Sequence, residues 1–236
     1  MFDFPNFDAA PPEALDLWTW YHLVCSVGCL LWIAAYVAFA VKAQRDRIPG
    51  IPTIAMCLNF AWEATYTILP NFNPWWPALN LGWLGLDCFL MWQLFRFGPG
   101  AQRHEILAKT FRYWVPVLIL LAAWGQLSFV MTYRDRLALV DAFFINLVMS
   151  ALFIWMFFER PNQRGLSLLG AVLKLLGTLG TAIGAHVFLP LMNPEIEHWN
   201  YLTFLCATIL LLDVVYVSLL YNARKKARLD TSVHEA

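Results

Sequence analysis

Ionisable side chains stand inside long apolar runs of this sequence: His22, Glu63, Asp87, Asp141, Lys174, His186 and Asp213. At membrane depth each costs at least about 2.5 to 3.5 kcal/mol unless it has a partner, a cavity or a task. Asn59 and Glu63 are four residues apart, hence on one helical face, and Met56 and Tyr66 continue that stripe. Asn80 and Asp87, seven apart, also share a face, and Asp213 is followed one turn later by Tyr216. Desolvation disfavours the charged form of a carboxyl, so an acid enclosed among apolar side chains keeps its proton at neutral pH and can give it to an apolar acceptor. The spacing therefore points to Brønsted acid chemistry in an acidic pocket walled by aromatics.

Other chemistries lack their residues. There is no aspartate cluster of the kind that holds magnesium and a diphosphate, no glycine-rich phosphate loop and no nucleophile elbow. No HExxH or Cys/His zinc set occurs, so neither a metal nor a cofactor is expected. Cys25, Cys29, Cys57, Cys88 and Cys206 all fall in apolar segments without metal-site spacing and read as buried thiols. The formal net charge is +0, which removes the bulk basicity that nucleic-acid binding requires.

The elements that position these groups are set by hydrophobicity. The chain has 236 residues, 60% hydrophobic and only 14% charged, with a mean hydropathy of +0.57; the lipid bilayer is the solvent that tolerates this. Apolar segments at 18–41, 51–69, 78–97, 113–133, 137–158, 166–189 and 199–221 are each about long enough to cross some 30 Å of hydrocarbon as helix. Proline and glycine punctuate the joins: Pro49, Gly50 and Pro52; Pro70, Pro74 and Pro77; Gly98 and Gly100; Pro161; Pro190 and Pro194. The fold expected is all-α, a polytopic bundle of seven transmembrane helices forming one domain over 1–236, with an interfacial segment at 1–16 and a cytoplasmic tail at 223–236.

Basic residues set the sides. Lys42, Arg45 and Arg47, then Arg96, Arg103, Lys109 and Arg112, then Arg160 and Arg164, then Arg224, Lys225, Lys226 and Arg228 follow the first, third, fifth and seventh segments. The alternate set holds an acidic N-terminus, the uncharged Asn71–Pro77 loop, Arg134 with Arg136, and a loop with Glu195, Glu197 and His198. The positive-inside rule places the N-terminus outside and the C-terminus in the cytoplasm. Trp18, Trp20, Trp75, Trp76, Trp114 and Trp199 lie near segment ends, where indole rings prefer the interface.

Because lipid-facing carboxylates are disfavoured, the polar faces of the second, third and last segments should converge on the bundle interior. Glu63 and Asp213 then flank one elongated cavity, and neither can snorkel from its depth. Lys174 is placed to reach the surface or to pair with Asp213. Asp141 and His22, near segment ends, read as interfacial or hydrogen-bonding groups, and His186 as either a satisfied core histidine or a pocket group.

With Asn59-Phe60-Ala61-Trp62-Glu63 in the second segment and Asp213 and Tyr216 in the last, the chain resembles the integral-membrane terpene cyclases of fungal meroterpenoid pathways, the pyripyropene-type cyclases, and their bacterial indole-terpenoid relatives. The resemblance implies metal-independent cyclisation of a polyprenyl chain carried by an aromatic, polyketide-derived or indole head, often after epoxidation by a separate oxygenase. It also implies essential acidic residues at the positions of Glu63 and Asp213. The partners it implies are a prenylated small molecule, and a prenyltransferase and an epoxidase acting in the same pathway. On this reading Glu63 is the acid and Asp213 shares or relays its proton. Asn59, Trp62, Tyr66, Trp83, Asp87 and Tyr216 line the substrate chamber. The expected location is the bacterial inner membrane, or the endoplasmic reticulum in a eukaryote. The alternative is a proton-coupled transporter using the same buried carboxylates, which pH-gradient-driven uptake into proteoliposomes would reveal.

Overall fold

A computed structural model describes residues 12–68, 76–133, 139–188 and 199–234. The N-terminal residues 1–11, the 71–75 part of the Asn71–Pro77 loop, Arg134 with Arg136, and the loop bearing Glu195, Glu197 and His198 lie outside them. So do the side chains of His22, Asn80, Trp18, Trp76, Trp199 and Arg228.

Among the described residues there are seven α-helices and no strand: α1 (Pro12–Asp46), α2 (Thr53–Ile68), α3 (Trp76–Phe97), α4 (Glu105–Tyr133), α5 (Leu139–Glu159), α6 (Leu168–Ile183) and α7 (Trp199–His234). A 3-10 turn at Pro99–Ala101 joins α3 to α4, and α6 runs on into a π turn, Gly184–Phe188. The helices sit where the apolar segments place them, but three extend further. Helix α1 begins at Pro12, whose ring suits a first helical position. The polar turn at the start of α4 is helical from Glu105, where Glu105 pairs with Lys109 one turn on. Helix α7 continues to His234, so most of the tail expected beyond 223 is helix.

Among the described residues, five stretches are long and apolar enough to cross a membrane: Leu23–Asp46, Glu105–Tyr133, Leu139–Glu159, Leu168–Val187 and Asn200–Ala227. Helices α2 and α3 fall outside this set. They carry Asn59 and Glu63, and Asp87 and Gln93, all buried, so their polarity belongs to the protein interior.

Around the bundle, α1 packs on α6, α6 on α7, α7 on α5, α5 on α2, α2 on α3, and α3 back on α1. Helix α4 stands outside this ring against α2, where Gln126 Nε2 donates to the Leu58 carbonyl at 2.9 Å. Aromatic side chains fill part of the ring: Phe39 of α1 stacks on Phe153 of α5 at 5.0 Å between centroids, and Phe153 stacks on Tyr216 of α7 at 5.1 Å.

The chain segments after α1, α3 and α5 meet the C-terminal half of α7 at one end of the bundle. Arg160 Nη1 donates to the Pro49 carbonyl at 2.7 Å, Arg164 Nη2 to the Asp46 carbonyl at 2.6 Å, and Arg224 Nη2 to the Leu166 carbonyl at 3.1 Å. Arg103 pairs with Glu159 at 2.7 Å. Gly165, at φ +77, donates its N–H to Asp46 Oδ2 at 2.7 Å; a Cβ there would lie 2.6 Å from Arg160 Nη1. Several residues read as topological signals thus also tie the loops together. Ser167 then caps α6, accepting from the Gly170 N–H.

The α1–α6 contact is the closest helix pairing. A Cβ on Gly177 would lie 2.5 Å from Trp32 Cδ1 and 2.9 Å from the Gly28 carbonyl oxygen. Such small residues let backbones approach where lipid provides no hydrophobic drive between helices. Gly177→Val should therefore cost about 1–3 kcal/mol through overpacking and lower the thermal midpoint in detergent. Gly82→Ala, whose Cβ meets nothing within 4 Å, should not.

Candidate active site

Two buried polar clusters stand on different helices of the ring. The first is built on α2 and α3. Asn59 Nδ2 donates to Asp87 Oδ2 at 2.7 Å, and Glu63 projects one turn further along the same face of α2. Glu63 is 4% exposed and Asp87 0%. Asp87 Oδ1 and Glu63 Oε2 are buried without a hydrogen-bond partner among the described residues. The two carboxyls lie within electrostatic reach of each other, and the Tyr36 hydroxyl within reach of both. The register that sets Tyr36 beside them is held by Gln93, whose Nε2 donates to the Ala40 carbonyl of α1 at 3.0 Å.

The second cluster joins α5, α6 and α7. Lys174 Nζ donates to both Asp213 oxygens and to Ser150 Oγ, each at 2.7 Å. Ser150 in turn donates to the Asn146 carbonyl, and Asn146 Nδ2 to Thr178 Oγ1 at 3.1 Å. Lys174 is fully buried, so of the two positions open to it from sequence it takes the pairing with Asp213.

Helix α1 lies between the clusters. Lys174 Nζ sits 5.1 Å from the centroid of the Trp32 ring. Trp32 meets Tyr36 edge to face, and Tyr36 meets Trp83 of α3 likewise, each at 5.6 Å. An aromatic row thus runs from the cation of one cluster to Trp83 on α3, the helix that carries Asp87. Trp62 and Tyr66 of α2 pack ring to ring at 4.9 Å. The indole N–H of Trp62 and the hydroxyl of Tyr216 are buried without partners among the described residues.

Asn59, Glu63, Asp87 and Trp83 are thereby brought around Tyr36, and Asp213 stands with Lys174 on the other side. Asp141 is buried in the first turn of α5, and His186 falls in the π turn after α6. Sequence reasoning missed Trp32, Tyr36, Phe39, Ser150 and Phe153. Trp32 and Tyr36 are four residues apart, as are Asn146 and Ser150, a spacing that marks a shared face but is common in apolar helices. Among the described residues, no three His, Cys, Asp or Glu side chains gather as metal ligands.

The arrangement is one of buried carboxyls and aromatic side chains inside an apolar helical bundle. Residues 6–226 match the family described as Pyr4-like transmembrane terpene cyclases. The chain belongs to that family and is an enzyme of the terpene cyclase class. It is 26% identical over 236 residues to terpene cyclase pyr4 of Aspergillus fumigatus, covering 94% of each chain. It is also 26% identical to terpene cyclase dpmpB of Macrophomina phaseolina, covering 93% of this chain and 92% of that one. Its identity to terpene cyclase olcD of Penicillium canescens is 25%, over 97% and 96% of the two chains. No solved structure matches.

Removing one member of a buried ion pair leaves the other charge unpaired in a low-dielectric interior, at about 3–5 kcal/mol. Lys174→Met should accordingly lower the thermal midpoint sharply, while Lys174→Met with Asp213→Leu should recover most of it. Thermal unfolding in detergent micelles reads both.

Proposed function

We propose that this protein performs metal-independent, acid-initiated cyclisation of a prenylated aromatic, polyketide-derived or indole compound, with or without a terminal epoxide. The observation that carries the reading is Glu63, a carboxyl buried beside aromatic rings with an unpartnered oxygen and no cation. Its O–H bond breaks as a bond to the epoxide oxygen, or to the terminal alkene carbon, forms. The resulting cation is quenched by successive double bonds, and loss of a proton ends the cascade, so substrate and product have the same mass.

The surroundings support each stage. Aromatic faces attract a desolvated cation by about 2 kcal/mol or more without trapping it. Enclosure folds the chain for ring closure and keeps water from the cation. Asp213 enters this proposal in a different role from the proton relay suggested by sequence. Bonded by Lys174 on both oxygens, it forms a fixed ion pair within the site. Asn59, Trp62, Tyr66, Trp83, Asp87 and Tyr216 are proposed to shape the chamber. A prenyltransferase and an epoxidase would supply the substrate.

We further propose that all seven helices span the bilayer, α2 and α3 being shielded by their neighbours, with the basic end in the cytoplasm and the N-terminus outside. According to host, the bilayer is the bacterial inner membrane or the endoplasmic reticulum.

The test is mass spectrometry of membranes containing the protein, incubated with prenylated indoles and prenylated phenols, each with and without a terminal epoxide. Conversion to a cyclised product of unchanged mass is expected. Glu63→Gln should lower it by at least about 100-fold while the thermal midpoint holds. Full turnover by that variant, or no conversion of any compound by the wild-type protein, overturns the reading.

A further inference from the structure

The carboxyls of this interior differ in what holds them. Asp213 accepts from a cation on both oxygens. Glu63 and Asp87 have no cation beside them among the described residues. In a low-dielectric interior an unpaired carboxylate is far more costly than a neutral acid, so protons belong on the α2–α3 side. Asn59 orients one of them. By donating to Asp87 Oδ2 it makes that oxygen the acceptor end of the group and leaves the unpartnered Oδ1 as the hydroxyl end. Glu63 is the nearest acid on the same face of α2 as Asn59.

We infer that Asp87 is a further catalytic acid of this site: with Asn59 as its positioning residue, it restores the proton that Glu63 gives away. The inference rests on the cyclase reading and deepens it. The cycle balances. The Glu63 O–H bond breaks and the bond to the substrate forms, leaving a Glu63 carboxylate. The Asp87 Oδ1–H bond then breaks and Glu63 regains its proton. When the cascade ends, a substrate C–H bond breaks, its electron pair becomes the new double bond, and the proton returns to the Asp87 carboxylate. No oxidant, reductant or external proton is consumed, as an isomerisation requires.

Tyr36 packs on this side of the ring, met edge-on by Trp32 and by Trp83 of α3.

Asp87→Asn separates the catalytic role from a structural one. The new side chain has the same shape, and its carbonyl can still accept from Asn59. Its thermal midpoint should match the wild type, while kcat for a farnesylated phenol epoxide falls about 100-fold and KM stays within about twofold. Asp87→Glu should regain part of the rate. A second readout needs no substrate: the infrared carbonyl band of protonated carboxylic acid, recorded on the full chain in nanodiscs. Glu63→Gln and Asp87→Asn should each remove part of it, and Asp213→Asn none. Should Asp87→Asn fail to fold, Asn59→Ala keeps both carboxyls and decides the matter. A shifted band with reduced kcat supports the inference, and an unchanged band with unchanged kcat overturns it. Full turnover by Asp87→Asn, or an acid band that survives both Glu63→Gln and Asp87→Asn intact, also overturns it. If the wild-type protein converts no prenylated compound, the cyclase reading falls while the infrared band still decides where the protons sit.

Discussion

An ammonium group enclosed in apolar surroundings must find an anion, and in this protein Lys174 finds Asp213. That single requirement ties α6 to α7, and through Ser150 to α5. It also fixes the electrostatic character of the whole interior. One carboxyl is held on both oxygens by a cation, while Glu63 and Asp87 are buried with no cation beside them among the described residues. The contrast between these two walls follows from where the buried cation sits.

Between the walls the aromatic row does two kinds of work. Trp32 lies against the ammonium of Lys174 and so contributes to holding it, while Tyr36 and Trp83 present rings near the acids. Phe39, Phe153 and Tyr216 stack beside them and couple α1, α5 and α7. Ring faces attract positive charge, which suits Trp32 to its place over the ammonium.

The packing that allows this is economical in side-chain volume. Gly28 and Gly177 bring α1 and α6 close enough for backbone contact, which sets Trp32 over Lys174. Helix α4, by contrast, adds little to the interior; its buried residues are Phe111, Val115 and Gln126. At the basic end, Arg160, Arg164 and Arg224 bond the carbonyls of neighbouring loops and helix starts, so these charges close that end of the bundle.

The number of helices and the inward turn of α2, α3 and α7 were legible in the residue order, while the limits of α1, α4 and α7 were not, because their polar ends are helical too. The reason is that hydrocarbon punishes a misplaced polar group so heavily that apolar runs between proline and glycine joins mark the helices and the 3.6-residue repeat marks their inner faces. Asn59 with Glu63, and Asp213 with Tyr216, could be placed on shared faces for this reason. Which polar face meets which was not legible. That Asn59 reaches Asp87, that Lys174 closes on Asp213 instead of reaching the surface, and that Tyr36 meets Trp83 all depend on the order of helices around the ring. That order is decided by side-chain fit between elements far apart in the chain, a property of surfaces in contact that periodicity along one helix does not encode. The sequence by itself therefore determined that this protein buries acids among aromatics in a membrane; the tertiary structure decided which acid pairs with the buried cation, because only there do the helices that carry them meet.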